Sequence, residues 1–318
     1  MRVVFVLPPM STIIMAQYQH IPIAGAGGEA QATANLPVAD AAAFGFPREF
    51  RQNRFVYLTI SARARGLSIG VNLNPMVNCN FQCLYCEVDR TPPVAVVQFD
   101  LGCMTAELRE TLDLACRGNL RQLPRYANLP DELLKLRQVA ISGDGEPTLA
   151  AHFAEALLAV IHLRAVGGLP FFKIVVITNA TALDRLEVQT ALKFLPRTDE
   201  IWAKLDGGTQ EYLSRLNGAA VPIEKILRNI LLVGRQRPVV IQSLFAAING
   251  AEPPAAEIRQ YAQRLKELKD EGAEISLVQI YSANRPMARE ECSHLPLKSL
   301  SAIAQTVRRV AGLRAEVF

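Results

Sequence analysis

At 318 residues, 50% hydrophobic and 20% charged, the chain can bury a sizeable core and is long enough for one large α/β domain or two small ones. Its net charge of +4, with a pI near 8.8, suits an anionic substrate without demanding one. The opening MRVVFVLPPM has an apolar run of only five residues before Pro8 and Pro9, too short for a signal-peptide core or for the roughly 20 residues of a membrane span. A cytoplasmic, reducing setting with no membrane partner is therefore expected, and the six cysteines are not expected to form a disulfide framework.

Residues 1–66 read as an irregular N-terminal extension. Residues 1–47 are rich in Ala, Gly and Pro with little periodicity, which predicts an irregular arm or partial disorder. Residues 48–65 then turn basic, with Arg48, Arg51, Arg54, Arg63 and Arg65 against the single acid Glu49. From residue 67 to 318 a rhythm of apolar runs and amphipathic stretches predicts one domain. The strand candidates are LSIGVNL (67–73), QVAIS (138–142), KIVVIT (173–178), EIWAKL (200–205), VVIQSLF (239–245) and EISLVQIY (274–281). Several are apolar at successive positions, the pattern of parallel strands covered on both faces. Between them, a helix from about Thr105 to Arg117 carries Leu108, Leu112, Ala115 and Cys116 on one face, with Gly118 as stop. A second begins near Pro222, runs its stripe through Ile223, Ile226, Leu227, Ile230 and Leu231, and ends at Gly234. Residues 255–271 and 296–311 read as two more. Six strands, each followed by a helix, predict an α/β fold of six βα units, an open partial (β/α)6 barrel of the TIM type.

The unusual residues fall after the strands. VNCNFQCLYCEVDR follows the first, with Cys79, Cys83 and Cys86 spaced C-x3-C-x2-C, so half of the cysteines lie within eight residues. GDGEPT (143–148) follows the second, Asn179 the third, Asp206-Gly207-Gly208 the fourth and SANRP (282–286) the sixth. Loops at the C-terminal ends of parallel barrel strands build the active site, so these groups are expected at one mouth. Structural zinc sites use four protein ligands, and three leave a metal position open. Buried thiols, or a zinc site with a distant fourth ligand, are the plainer alternative. Cys103, Cys116 and Cys292 are scattered and read as ordinary thiols, and His152 and His162 as surface residues of a helix.

CNFQCLYC, SGDGEPT, VITNA and WAKLDGG, in that order within residues 67–285, resemble the radical S-adenosylmethionine (SAM) enzymes. GLSIGVNLNP, AKLDGG and VQIYSANRP are most similar to the group of wyosine-type tRNA-modifying enzymes. The turn Gly143-Asp144-Gly145-Glu146 departs from the commoner Gly-Gly-Glu, a variant that some RNA-modifying members share. The resemblance implies a [4Fe–4S] cluster on Cys79, Cys83 and Cys86, with its fourth iron free for SAM. It implies reductive cleavage of SAM, by an electron from a flavodoxin- or ferredoxin-type donor, to a 5′-deoxyadenosyl radical that abstracts hydrogen from the substrate. It also implies SAM contacts: Tyr85 near the adenine, and the turn of Gly143, Asp144, Gly145, Glu146 and Pro147 at the amino group. Asn179, Lys204, Asp206 and Ser243 complete the candidate set, with Lys204 suited to the SAM carboxylate and Asp206 to ribose hydroxyls. Gln279 and Arg285 are weaker candidates. No catalytic residue is singled out. The substrate stays open between RNA, a small molecule, a peptide and a partner protein, and a non-catalytic iron–sulfur protein is the rival from another class.

Overall fold

The structure, a computed structural model, describes residues 50–74, 78–88, 98–283 and 289–318. The chain divides by contacts into Met1–Ala39, which lies outside the described residues, and Asp40–Phe318, to which everything below belongs.

In chain order the elements are β1 (Val56–Ser61), β2 (Gly66–Val71), α1 (Leu101–Cys116), α2 (Asp131–Leu134), β3 (Leu136–Ile141), α3 (Phe153–Val166), β4 (Lys173–Thr178), α4 (Leu186–Leu192) and β5 (Glu200–Lys204). There follow α5 (Gln210–Asn217), α6 (Ile223–Gly234), β6 (Val239–Leu244), β7 (Ala246–Ile248), α7 (Ala255–Asp270), β8 (Ile275–Tyr281), β9 (Cys292–His294), α8 (Leu297–Ala311) and β10 (Ala315–Val317). Eight strands form one sheet in the order β1-β2-β3-β4-β5-β6-β8-β10, and β7 pairs with β9 separately. All neighbours in the large sheet are parallel except β1, which is antiparallel to β2. The fold is the expected partial barrel, a curled and mostly parallel sheet.

All six expected strands form. Two more join at the edges. β1 lies within the stretch expected to be irregular, so among the described residues the first strand is Val56–Ser61, ahead of residue 67. Its signal is legible in retrospect: Val56, Leu58 and Ile60 pack in the main core, while of the residues between them Tyr57 is buried outside that core and Thr59 and Ser61 are half-exposed, an alternation of period two. The arginines on either side of it drew the reading toward surface. β10 spans three residues, too few to carry a periodic signal.

One face of the sheet packs under the helices. Ile69, Val71, Val139, Ile141, Ile174, Val176, Ile201, Ile241, Val278 and Ile280 share one apolar core with Leu108 of α1, Val160 of α3, Ile230 of α6, Leu265 of α7 and Ala304 of α8. The other face carries a small apolar row, Ala140, Val175, Trp202 and Val240. Around that row lie polar pairs: Gln138 donates to Ser68 (3.1 Å), Gln242 to Gln279 (3.3 Å), and Tyr57 shares a hydrogen bond with Ser142 (3.0 Å). The successive apolar residues in the sequence thus divide between an outer helix-covered face and a mixed inner one.

The β1–β2 turn reaches the far end of the strand order. Arg65 pairs with Glu316 of β10 at 2.9 Å, and the Arg63 guanidinium lies over the Tyr281 ring of β8 at 4.1 Å. An exposed ion pair contributes at most about 1 kcal/mol, so these contacts accompany the curl and the strand ladders and core produce it. A stronger tie is buried: Arg164 of α3 forks onto Asp199 at 2.6 and 2.7 Å, and Asp199 also accepts from the Ile174 amide. That carboxylate locks α3 to the start of β4 and β5.

Candidate active site

The cysteine loop follows β2 and is held by backbone bonds along its length. Asn78 O accepts from Glu146 N (2.9 Å), Gln82 N donates to Asn217 O (2.8 Å), Leu84 N to Leu216 O (2.8 Å), and Cys86 N to Cys83 O (3.0 Å). Phe81 is buried in the main core, which anchors the loop's middle. Cys79, Cys83 and Cys86 are partly buried thiols in no disulfide. Among the described residues no three His, Cys, Asp or Glu side chains are already gathered to hold a metal ion. The donor set nevertheless fits an iron–sulfur centre, because three thiols of one short, backbone-anchored loop are soft ligands suited to iron and sulfide. Burial, helped by nearby Asp206, pushes the Cys83 thiol up to about 11, against hydrogen bonds from Asn217 and Tyr85 that pull it down.

The turn after β3 packs directly on this loop. A Cβ at Gly143 would fall 2.3 Å from Asn72 Oδ1, and one at Gly145 would fall 2.3 Å from Asn78 O. The glycines are therefore required by the close approach of the strand β2 end and the cysteine loop, whatever they also allow a ligand to do. Asn72 and Asn74 stitch the two segments together: Asn72 donates to Asp144 Oδ2 (2.7 Å) and Asn74 to Glu146 O (2.8 Å). Gly145→Ala should leave sheet content by circular dichroism near wild type but reduce iron uptake on anaerobic reconstitution. Undiminished iron content in that variant would contradict this packing argument.

Glu146 is buried and points into the chain. Its Oε1 accepts from Thr148 N (3.0 Å), Thr148 Oγ1 (2.6 Å) and Thr178 Oγ1 (2.6 Å), and its Oε2 from Asn179 N (2.6 Å). Burial raises its carboxyl above the ordinary value, while these donors pull it back. Pro147 opens the short 3-10 turn that Glu146 caps. Asn179 is tied the same way, donating to Asn80 of the cysteine loop (2.7 Å) and accepting from Thr181. The ends of β3 and β4 and the cysteine loop thus form one hydrogen-bonded unit.

A second unit lies across the ends of β5, β6 and β8. Tyr85 donates its hydroxyl to Asp206 Oδ2, and Asp206 Oδ1 accepts from Leu244 N (2.8 Å) and lies 3.3 Å from Lys204 Nζ. Lys204 also donates to the Tyr281 hydroxyl (3.1 Å) and sits 5.1 Å from the Tyr85 ring centre and 5.5 Å from that of Tyr281. Burial works against the Lys204 ammonium, but Asp206 and Tyr281 outweigh it and hold the pKa above its ordinary value. Burial, then Asp206 and Cys83, raise the Tyr85 phenol. Asp206 in this arrangement is 2% exposed, with its oxygens engaged by the chain. Ser243 faces the helices: its hydroxyl donates to Leu205 O (2.6 Å) and bonds Tyr261 of α7 (2.6 Å).

The structure therefore brings Tyr85, Cys83, Lys204 and Asp206 together, and joins Cys79's loop to Gly143–Pro147 and Asn179, while Ser243 sits behind the sheet. Gln279 is buried on the inner face, and Arg285 lies outside the described residues. Cys103 donates to Glu107 (3.3 Å) within α1, Cys116 ends that helix half-exposed, and Cys292 is buried in β9. His152 is exposed at the start of α3, stacked on Phe99 (5.4 Å), and His162 is half-buried. Sequence reasoning missed Asn72, Asn74, Asn217 and Tyr281. Asn72 and Asn74 stood inside quoted motifs, and Tyr281 ends a quoted strand, but Asn217 lies in a helix with no motif around it.

The three-thiol loop and the glycine turn lie together at the C-terminal ends of neighbouring parallel strands of a partial barrel, the arrangement expected of a radical SAM enzyme. A family model described as the radical SAM superfamily matches residues 73–245, and the chain belongs to that superfamily, whose members use a [4Fe–4S] cluster and SAM. Among curated relatives, UPF0026 protein slr1464 of Synechocystis sp. is 29% identical over 178 residues, covering 55% of this chain and 57% of that protein. A UPF0026 protein of Helicobacter pylori is 27% identical over 238 residues, covering 73% of this chain and 67% of the relative. The chain thus spans a little over half the length of the first of these. Among solved structures, a radical SAM methyltransferase from Sphaerobacter thermophilus is similar in fold, with TM-score 0.58, 18% identity, and coverage of 83% of this chain and 68% of that one. A structure of TYW1 with a lysine-pyruvate adduct bound has TM-score 0.51, 15% identity, and coverage of 80% and 84%. At 15% identity that likeness is one of fold. No helix among the described residues is long and apolar enough to cross a membrane.

Proposed function

We propose that the chain holds a [4Fe–4S] cluster on Cys79, Cys83 and Cys86, binds SAM beside the Gly143–Pro147 turn, and acts as a radical enzyme on a substrate at the inner face of the sheet. Cys79, Cys83 and Cys86 would hold the cluster and the Gly143–Pro147 turn would hold SAM, and together, with one electron from a flavodoxin- or ferredoxin-type donor, these cofactors would supply radical hydrogen-atom abstraction. The observation that carries the reading is the bond from Glu146 N to Asn78 O, which seats the glycine turn against the start of the three-cysteine loop. The chain's own residues supply position and charge. Glu146 and Asn179 fix the turn and the loop as one body. Lys204, protonated and beside the aromatic rings of Tyr85 and Tyr281, offers a cation to an amino-acid carboxylate. The expected result with dithionite and SAM, after anaerobic reconstitution, is release of methionine and 5′-deoxyadenosine. If SAM is neither cleaved nor able to change the cluster's electron paramagnetic resonance (EPR) spectrum, the non-catalytic iron–sulfur reading replaces this one.

An RNA substrate is a second reading, favoured by Arg51 and Arg54, both exposed ahead of β1. Arg63 and Arg65 lend it less, being engaged with Tyr281 and Glu316, and Arg48 lies outside the described residues. Arg51→Ala with Arg54→Ala should flatten the salt dependence of total-tRNA binding in a filter assay, since each lost phosphate contact releases fewer counterions. Absence of tRNA binding at low salt, with cluster and SAM in place, would direct the search to small-molecule or protein substrates.

A further inference from the structure

Asn217 is the last residue of α5 and is fully buried. Three acceptors share the two N–H groups of its side chain: Asp206 Oδ2 at 2.8 Å, the Tyr85 hydroxyl at 3.0 Å and Cys83 Sγ at 3.2 Å. An ionised carboxylate only accepts, so Asp206 sets the amide's orientation and places its N–H groups, not its carbonyl, among these atoms. The backbone of the same helix end brackets Cys83, with Asn217 O bonded to Gln82 N and Leu216 O to Leu84 N, each at 2.8 Å. Gly218 follows at φ 56°, and a Cβ there would lie 2.9 Å from Gln82 Cβ, so the helix ends in a left-handed residue pressed on the cysteine loop. The two backbone bonds suffice to dock the loop. The side-chain bond to sulfur does something else.

We propose that Asn217 is a positioning residue that sets the reduction potential of the cluster, by donating its side-chain N–H to the Cys83 sulfur. The inference rests on the reading of Cys79, Cys83 and Cys86 as the cluster ligands. One-electron reduction adds negative charge that spreads onto the ligating sulfurs. An N–H dipole aimed at one of them stabilises the reduced form more than the oxidised form and raises the potential. The Asp206 carboxylate beside the amide acts in the opposite sense, partly neutralised by Lys204 at 3.3 Å. Removing the amide leaves the sulfur near that carboxylate with only the Tyr85 hydroxyl as a neighbouring donor, and that hydroxyl is itself engaged with Asp206.

The test compares wild type with Asn217→Ala and with Asn217→Leu, which is nearly isosteric and has no donor; both retain the backbone bonds. Each protein is reconstituted anaerobically, its iron and sulfide are measured, and its potential is read by EPR-monitored titration with dithionite. The expected result is full iron content with a midpoint potential lower in both variants than in wild type. An unchanged or higher potential in a variant with full iron content overturns the proposal. Should neither variant fold, wild-type protein carrying side-chain 15N-asparagine decides: a 15N coupling in pulsed EPR of the reduced cluster supports the bond, and its absence overturns it. Wild-type protein that takes up no iron would instead overturn the ligand assignment, a failure told apart by the iron assay alone.

Discussion

Replacing Cys79, Cys83 and Cys86 together with Ala should abolish the cluster while leaving the fold in place. Wild type, reconstituted anaerobically, is expected to hold about four irons and four sulfides per chain, and the triple variant none above background. The fold should survive because the loop is held by Phe81 in the core and by backbone bonds at Asn78, Gln82 and Leu84, none of which uses a sulfur. Thiol removal then costs little in the cluster-free chain. Replacing Cys103, Cys116 and Cys292 should leave iron content at the wild-type level, since those thiols belong to α1 and β9. Full cluster retention in the first variant would remove the basis for the proposed chemistry.

Glu146→Ala should destabilise even the cluster-free, SAM-free chain, by on the order of 4 kcal/mol. Each buried donor left without an acceptor costs about 1–3 kcal/mol, and Glu146 serves four: the Thr148 and Asn179 amides and the Thr148 and Thr178 hydroxyls. The hydroxyls can turn elsewhere and water can enter, so the sum falls below four full penalties. Urea unfolding of the cluster-free protein reads this directly. A loss below about 1 kcal/mol would mean that these bonds contribute little, and that the glutamate's role lies with a ligand. The two roles separate because a ligand-only glutamate has no effect until the ligand is added. SAM affinity should fall as well, through distortion of the turn.

The six inner strands were legible because parallel strands covered on both faces must be apolar at successive positions, and KIVVIT and EIWAKL show that directly. The three cysteines and GDGEP were legible because their chemistry is local: residue type and spacing within a few residues carry it. β1 was readable by alternation but masked by the arginines around it, and β10 was too short to read.

What only the tertiary structure decided is how residues far apart in sequence share one acceptor or one donor. The sequence by itself determined the six inner strands, that their loops follow them, and that the loop after β2 is rich in thiols. It left Asp206 a candidate for ribose hydroxyls. The fold places the Tyr85 hydroxyl, the Asn217 amide, the Leu244 N–H and Lys204 around that one carboxylate, from four elements or loops. It also turns Ser243 away from the mouth, because strand side chains alternate and Leu244 takes the inner face. Asn217 shows the limit most plainly. Its neighbours along the helix give no hint of function, and its contact with Cys83 spans 134 positions. Such a contact depends on the packing of α5 against the cysteine loop, which is set by the summed burial of the core and the close approach at Gly218, and no local pattern encodes it.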